Sequence, residues 1–192
     1  MRITGGSLRG RLLRAPEGKV TRPTSSKVRE AIFNIVGDRI VDARVLDLYA
    51  GSGALGIEAL SRGALFAAFV ESSATAAKAI LGNLEQLELD DRAQVIRGSV
   101  AGGLERLSGA GEKFRLVFAD PPYAGRAAEE TLAAVAASRV LAPGSLVIVE
   151  HTKRQELSGE FGSLALASSH RYGDTMVSVY ALSRGQTGRG HA

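Results

Sequence analysis

Residues 44–62 read RVLDLYAGSGALGIEALSR, and this stretch decides the fold. It begins with an apolar run that is typical of a buried strand and ends with apolar residues at helical spacing. Between the two runs, Gly51, Gly53 and Gly56 have the spacing GxGxxG. A glycine loop between a strand and a helix is the fingerprint of folds that bind a nucleoside cofactor at the end of their first strand.

Strands and helices alternate on the C-terminal side of this stretch. β-prone runs are expected at residues 44–49, 65–71, 93–97, 114–119 and 145–150, and helices at 54–62, 74–89, 100–107 and 127–140. An earlier amphipathic helix should begin at Ser25 or Ser26 and end at Gly37. The runs at 164–169 and 175–182 have no room for a helix between them, so they should pair as an antiparallel hairpin at the sheet edge. This order predicts an α/β fold with a mostly parallel sheet that helices cover on both faces.

Composition excludes several classes of protein. The chain has 192 residues and 45% hydrophobic side chains, so one domain with a sizeable core is expected. It contains no cysteine, which excludes disulfides, thiolate metal sites and a cysteine nucleophile. No apolar run approaches the ~20 residues of a membrane span, and the first residues lack the apolar core of a signal peptide. We therefore expect a soluble cytoplasmic protein.

The formal net charge of +4 is divided unevenly along the chain. Residues 1–29 carry +7 and the remainder carries −3. Apolar residues alternate with the basic ones around Gly5-Gly6, which predicts a short hairpin. We expect a basic hairpin arm at residues 1–24, one α/β domain at 25–183 and a flexible tail at 184–192. Because cations that neutralise phosphates release counterions, nucleic acid is the expected partner. The candidate contacts are Arg2, Arg9, Arg11, Arg14, Lys19 and Arg22.

Two acidic residues flank the glycine loop. Asp47 precedes Gly51 by four residues, and Glu71 follows it by twenty, at the end of the next strand. Glu71 suits the ribose hydroxyls of either NAD or S-adenosylmethionine. The pyrophosphate of NAD would lie at the helix N-terminus, where Asp47 would repel it. The sulfonium of S-adenosylmethionine is positive, so Asp47 favours that cofactor, and NAD remains the alternative.

The second motif is Asp120-Pro121-Pro122-Tyr123, which follows the apolar run FRLVFA. The prolines fix the backbone and leave carbonyl groups without competing donors nearby. Asp120 and one of these carbonyls can accept the two N–H bonds of an exocyclic base amine and orient its lone pair. The ring of Tyr123 offers a stacking surface worth ~1–3 kcal/mol per base. The motif therefore predicts methyl transfer to an amino group, with no metal and no covalent intermediate.

These motifs together resemble the S-adenosylmethionine-dependent 16S ribosomal RNA guanine-N2 methyltransferases of the RsmD type. The resemblance covers nearly the whole chain: RITGGSLRGRLL at 2–13, RPT at 22–24, DLYAGSGALGIEALSRGA at 47–64 and DPPY at 120–123. DPPY alone is shared with adenine-N6 and cytosine-N4 methyltransferases, and the RITGG and RPT blocks separate this family from those. The resemblance implies a Rossmann-like seven-stranded methyltransferase fold and a guanine in small-subunit RNA, free or in an assembling particle, as the substrate.

The resemblance also implies the roles of the site residues. Asp47, Gly51 and Gly53 should lie near the methionine end of the cofactor, Glu71 on its ribose, and Asp120, Pro121, Pro122 and Tyr123 should form the catalytic motif. The remaining cofactor contacts are expected from Thr24, Tyr49, Ser72, Gly98 and Ser99. Many relatives hold the adenine amine with an Asp after the third strand. Here Arg97-Gly98-Ser99 stands in that place, so Ser99 or backbone groups take that role.

Three other functions are considered. An adenine-N6 or cytosine-N4 DNA methyltransferase would need a segment for target recognition, for which 192 residues leave little room. A non-catalytic RNA-binding module would not need DPPY. An NAD oxidoreductase would need an acid–base pair for hydride transfer, which we do not find. His151 and His170 lack ligand spacing, so we expect no metal site.

Overall fold

The computed structural model describes residues 1–16, 26–123 and 125–183, and these residues form five α-helices and eight strands. The helices are α1 (Ser26–Val36), α2 (Ala54–Ser61), α3 (Ala74–Leu87), α4 (Val100–Gly109) and α5 (Ala127–Ala137). The strands are β1 (Arg44–Leu48), β2 (Phe66–Glu71), β3 (Ala93–Arg97), β4 (Phe114–Ala119), β5 (Leu141–Thr152), β6 (Glu160–Phe161), β7 (Leu164–Tyr172) and β8 (Thr175–Leu182).

All eight strands belong to one sheet, in the order β3-β2-β1-β4-β5-β8-β7-β6. The first five in this order are parallel, and the remaining three continue the sheet by antiparallel pairing. The chain builds outward from β1 to β3 and then returns to place β4 on the other side of β1. In an open parallel sheet, ligands bind at the carboxyl ends of the strands where the order reverses. Here that point lies between β1 and β4.

Helices cover both faces of the sheet. One apolar layer combines α1, α2 and α3 with strand residues such as Val45, Phe69 and Phe118. The other layer combines α4 and α5 with the alternate strand residues, such as Leu46 and Val117. Successive strand residues point to opposite faces, so strands covered on both sides read as continuous apolar runs. This is why β1, β2 and β4 are recognisable in the sequence.

The structure confirms the Rossmann-like α/β fold and the C-terminal hairpin, and it adds an eighth strand to the expected seven. This strand, β6, has two residues and pairs with β7 at the sheet edge. The ring of Phe161 packs edge-on against Tyr180, with 5.6 Å between centroids. A two-residue strand has no alternating pattern that a sequence could display. The helix expected to reach residue 140 ends at Ala137, because Ser138 is extended and β5 begins at Leu141.

The first 13 residues form the predicted hairpin, which we call the N-terminal hairpin. Arg2 pairs with Leu12 in an antiparallel bridge, and Ile3 and Leu13 are buried in the core layer of α1, α2 and α3. The turn of the hairpin lies against the end of α2, where Ser7 N–H donates to the Ser61 carbonyl at 2.8 Å. At Gly6, with φ of +79°, a Cβ would lie only 1.9 Å from that carbonyl oxygen, so this approach requires glycine. The predicted hairpin is therefore packed into the folded core through Ile3 and Leu13.

A buried ionic cluster holds the hairpin in place. The Glu58 carboxylate of α2 accepts bonds from Arg29 Nε at 3.2 Å, Arg62 Nε at 2.9 Å and Thr4 N at 2.9 Å. Arg29 and Glu58 are each only 1% exposed. The +7 of residues 1–29 includes Arg29, whose charge is neutralised inside the protein. Lys19, Arg22, Thr24, the boundary expected at residue 24 and the tail 184–192 lie outside the described residues.

Candidate active site

Three acidic residues lie at or just after the carboxyl ends of neighbouring strands, around the point where the strand order reverses. Asp47 is the penultimate residue of β1, Glu71 ends β2, and Asp120 directly follows β4. In register, Leu48 lies beside Val70 on one side and Ala119 on the other. The charges of Asp120 and Glu71 both act on Asp47. These three residues therefore lie at the edge of the sheet where an open parallel sheet forms its crevice.

Asp47 lies at the floor of this crevice. It is 2% exposed, and its Oδ2 accepts the Gly56 N–H at 2.8 Å, at the start of α2. Burial raises the pKa of Asp47 to about 8, and the nearby carboxylates of Asp120 and Glu71 contribute to the rise, while the Gly56 N–H opposes it. A positive group placed in the crevice would favour the ionised carboxylate.

Glu71 is fixed by the loops on either side of it. Its carboxylate accepts the N–H of Gly51 at 2.9 Å and the N–H of Ser73 at 2.7 Å. Gly51 has φ of +57°, and a Cβ built on it would meet only the Tyr49 carbonyl oxygen, at 3.9 Å. There is therefore room beside the Gly51 backbone, whereas a Cβ on Gly53 would lie 3.2 Å from the Ile57 side chain.

The other predicted cofactor residues are arranged around this loop. Tyr49 has φ of +60°, and its hydroxyl bonds to Thr131 Oγ1 of α5 at 2.8 Å. Ser72 is exposed beside Glu71, and the Gly98 N–H donates to the Glu71 carbonyl at 3.0 Å. Ser99 is the N-cap of α4, where its hydroxyl accepts the Gly102 N–H at 3.2 Å. The structure thus adds a capping role for Ser99 to the expected adenine contact.

The expected catalytic motif, Asp120 to Tyr123, leaves β4 at the same edge. Pro121 is buried and Pro122 is exposed, while Tyr123 is 44% exposed. The Tyr123 hydroxyl donates to Glu150 Oε1 at 3.0 Å. Burial, with the charges of Glu150 and Asp120, raises the pKa of Tyr123 to about 12. The ring is therefore held at its hydroxyl end while much of its surface stays open.

The predicted nucleic-acid contacts that the structure describes lie on the N-terminal hairpin and at Arg14, the residue that follows it. Arg2, Arg9, Arg11 and Arg14 are all exposed. Arg2 and Arg11 also donate to main-chain carbonyls, at Gly10 and at Gln86 of α3. The hairpin turn next to Arg9 packs at the end of α2 opposite the glycine loop. Arg14 lies nearer that loop, because Asn83 bonds to the main chain of Arg14 and of Ser52.

Of the two histidines considered above, His151 has surroundings that indicate a structural role. His151 is buried, and its Nε2 lies 2.9 Å from Ser178 Oγ of β8. Burial lowers the pKa of His151. Within residues 1–16, 26–123 and 125–183, no group of three or more His, Cys, Asp or Glu side chains is placed so that it could hold a metal ion. None of the helices in this part of the chain is long and apolar enough to cross a membrane.

Sequence reasoning missed three buried polar residues: Asn83 and Glu150, which bond to the site, and Glu58, which bonds to the N-terminal hairpin. Glu58 is 54 residues from Thr4, Asn83 is 31 from Ser52, and Glu150 is 27 from Tyr123. Each resembles an ordinary surface residue in its local sequence. The one available signal is Glu150, which follows an apolar run at the edge where ligands bind.

Comparison with known proteins assigns the family. The family model described as Conserved hypothetical protein 95 matches residues 1–181. YlbH of Bacillus subtilis is 39% identical over 180 residues, covering 94% of this chain and 98% of that protein. Ribosomal RNA small subunit methyltransferase D of Escherichia coli K12 is 39% identical over 150 residues, covering 78% of this chain and 74% of that protein.

Solved structures agree with this result. The Escherichia coli protein yhhF has a TM-score of 0.82 and 33% identity, with 95% of this chain and 98% of that chain covered. An RNA methyltransferase of Salinibacter ruber, in complex with S-adenosyl-L-homocysteine, shares the fold with a TM-score of 0.65 at 15% identity, covering 84% of this chain and 94% of that chain. The chain therefore belongs to the Conserved hypothetical protein 95 family, which is the family of the RsmD-type ribosomal RNA methyltransferases.

Proposed function

We propose that the chain transfers a methyl group from S-adenosylmethionine to the exocyclic N2 amine of a guanine in small-subunit ribosomal RNA. The observation that carries the proposal is the convergence of Asp47, Glu71 and Asp120 at the carboxyl ends of β1, β2 and β4. Asp47 and Glu71 suit a cationic nucleoside cofactor. Asp120 begins the motif that suits a base amine.

The crevice fits S-adenosylmethionine better than NAD. Three carboxylates would repel a pyrophosphate, whereas they stabilise a sulfonium. Burial, with the charges of Asp120 and Glu71, raises the pKa of Asp47, and a positive group would relieve this; the room beside the Gly51 backbone suits a ligand that approaches closely. Asp47, Gly51 and Gly53 would hold the methionine end, Glu71 and Ser72 the ribose, and Gly98 and Ser99 the adenine. When bound, the cofactor supplies an activated methyl group.

The catalytic motif prepares the base amine. Asp120 accepts one N–H of the amine, and a carbonyl of the proline segment accepts the other, which directs the nitrogen lone pair toward the methyl group. The nitrogen must lose one proton as it gains the methyl group, and we assign Asp120 as the acceptor. Tyr123 provides the ring on which the base stacks. Because Glu150 holds the Tyr123 hydroxyl, this ring is oriented before the base arrives.

The RNA substrate is supported by charge and by relatives. Exposed arginines follow the N-terminal hairpin, and a polyanion is their natural partner. The Escherichia coli relative carries ribosomal RNA of the small subunit in its name. The guanine and its N2 amine are proposed from the family resemblance. An rRNA substrate favours the cytoplasm as the compartment.

Transfer of a labelled methyl group tests the proposal. We expect the purified chain, given labelled S-adenosylmethionine and unmodified small-subunit RNA or particles, to yield N2-methylguanosine on digestion and mass spectrometry. Asp120→Ala should abolish transfer and keep the calorimetric affinity for S-adenosylhomocysteine, whereas Asp90→Asn, an exposed control, should change neither. Label on adenine or cytosine, or on DNA alone, would refute the substrate. Loss of cofactor binding in Asp120→Ala would refute the role of Asp120.

A further inference from the structure

A cleft opens beside the catalytic motif, at the antiparallel half of the sheet. Its volume is about 520 Å³, within the range of roughly 300–1,000 Å³ that is typical of ligand sites. Its lining includes Tyr123 with Thr175 next to it, and the turn after β5 and the β7–β8 turn, with Lys153, Arg154 and Asp174. None of these residues except Tyr123 belongs to the site described above.

One wall of the cleft is a fixed aromatic ring. The Tyr123 hydroxyl donates to Glu150 Oε1 at 3.0 Å and also contacts the Thr175 side chain. Glu150 is 3% exposed, so the ring is anchored to the buried end of β5 while 44% of Tyr123 stays exposed. A base can stack on such a ring without first ordering it.

The opposite wall is a rigid turn with two cations. Arg154 N donates to Thr152 Oγ1 and Gln155 N to the Thr152 carbonyl, each at 3.0 Å. Lys153 N donates to the Asp174 carbonyl at 3.0 Å, which ties this turn to the β7–β8 turn. Lys153 Nζ pairs with Asp174 Oδ1 at 2.6 Å, and the Arg154 side chain is exposed. The two cations therefore outnumber the one carboxylate of this wall.

The two walls match the two parts of a nucleotide. An aromatic ring suits a base, and cations on a fixed turn suit the phosphate attached to it. The Lys153–Asp174 pair keeps the ammonium in place but competes with a phosphate for it. Arg154 can contact two phosphate oxygens at once, because its guanidinium presents parallel donors.

We propose that this cleft is a second RNA-binding site, in which Lys153 and Arg154 hold the backbone phosphate of the nucleotide that stacks on Tyr123. The inference rests on the proposed function, and it identifies how the RNA strand is held at the catalytic motif. The N-terminal hairpin packs on α2 and α3, which cover β2 and β3, whereas the cleft lies at β5 and β8. The strand is thus held on both sides of Asp120, which lies between them.

Charge removal tests the site. We compare Lys153→Gln/Arg154→Gln with a matched pair that does not line the cleft, Arg39→Gln/Arg106→Gln, whose side chains are exposed. The probe is a short fluorescein-labelled single-stranded RNA that contains guanine. The cleft variant should weaken RNA binding several-fold and reduce the slope of log K against log salt by about 0.7 per charge removed. Asp174→Asn should strengthen binding, and every variant should keep its calorimetric affinity for S-adenosylhomocysteine.

Each outcome decides the inference. Equal affinity and equal slope in the cleft variant and the unsubstituted chain would overturn it, as would an equal loss in the matched pair. Weaker binding by Asp174→Asn would also contradict it. A defect seen only with assembled particles, and not with the labelled RNA, would overturn it too, because the cleft would then contact a protein. If the unsubstituted chain binds the RNA as expected but methylates none, the proposed function fails while the binding site stands.

Discussion

At the residue scale, the site contains a carboxylic acid, Asp47, whose surroundings disfavour its ionised form. Asp47 is buried on a strand between two other acidic residues, and its pKa rises from the ordinary value of 3.8 to about 8. A solvated carboxylate would have been easier to accommodate in the fold. A fold that holds this acid in a desolvated position is prepared for a cation, because binding a cation relieves both desolvation and repulsion.

The pH dependence of stability follows from this shift. The folded chain binds the Asp47 proton more tightly than the unfolded chain does, so the contribution of Asp47 to the free energy of unfolding is present below about pH 4 and is lost as the pH rises through about 8. Because Asn does not titrate, the Asp47→Asn variant does not undergo this loss of unfolding free energy as the pH rises. Urea denaturation without cofactor should therefore show the variant gaining stability relative to the unsubstituted chain as the pH rises from about 4 to about 8. A constant difference across this range would contradict the assignment.

Tyr123 has two separable features, a ring and a hydroxyl. Tyr123→Ala removes the stacking surface and should lower kcat/KM for RNA by an amount equivalent to ~1–3 kcal/mol. Tyr123→Phe keeps the ring but loses the bond to Glu150, so its kcat/KM should lie between those of the Tyr123→Ala variant and the unsubstituted chain. Steady-state methylation assays measure both. Phe and Ala variants of equal activity would mean that only the hydroxyl matters.

At the scale of elements, the N-terminal hairpin behaves as part of the domain. Ile3 and Leu13 are 2% and 4% exposed, and the polar groups of Thr4 and Ser7 bond to α2. Arg62 lies over the ring of Phe33 of α1, at 4.8 Å from its centroid, while it also pairs with Glu58. Glu58 therefore links the hairpin, α1 and α2 through a single buried carboxylate.

Removal of the Glu58 charge should lower the free energy of unfolding. Glu58→Ala leaves the buried guanidinium of Arg29 uncompensated, for which we expect a loss of ~3–5 kcal/mol in the free energy of unfolding. Glu85→Ala, on the exposed side of α3, should cost much less. Arg29→Met combined with Glu58→Leu should recover part of the loss, because no buried charge remains unpaired. Urea denaturation of the four chains measures these differences, and equal stability of both single variants would disprove the role of Glu58.

At the scale of the whole molecule, the sheet separates the two regions proposed to contact RNA. The hairpin lies with α2 and α3 near β2 and β3, and the cleft lies at β5 and β8, with the catalytic motif between them. Positive charge on both sides of an acidic centre would guide a polyanion to the site without neutralising the carboxylates that are proposed to hold the cofactor. The arrangement depends on the strand order, because β4 lies between the two halves.

Because the hairpin is packed against the core, substitution tests the role of its charge better than deletion does. Deletion of residues 1–14 would expose the apolar surface that Ile3 and Leu13 cover, worth ~1.5–3 kcal/mol for each side chain. Substitution of Arg2, Arg9, Arg11 and Arg14 by Gln removes charge and keeps the packing. We expect the substituted chain to stay folded and its log–log salt slope for RNA binding to fall by about 0.7 for each phosphate that is no longer neutralised. An unchanged slope would show that the hairpin does not bind RNA.

Much of the fold could be predicted because its parallel strands are buried on both faces. The runs that form β1, β2 and β4 are largely apolar, and glycine or acidic residues lie at or just after their ends. Parallel strands bring their carboxyl ends to one edge, so Asp47, Glu71 and Asp120 could be grouped from the sequence. β6 could not be predicted, since a two-residue strand depends on its neighbour for every hydrogen bond.

The sequence by itself determined the order of the helices and of every strand except β6, the glycine loop and the two motifs that indicate methyl transfer. These are local patterns, readable because periodicity and turn residues act over a few positions. Only the tertiary structure decided that Glu58 neutralises Arg29, that Glu150 holds Tyr123 and that the basic N-terminus is docked. Each of these depends on side chains that are far apart in the chain, and the burial that gives them their strength exists only once the sheet has formed.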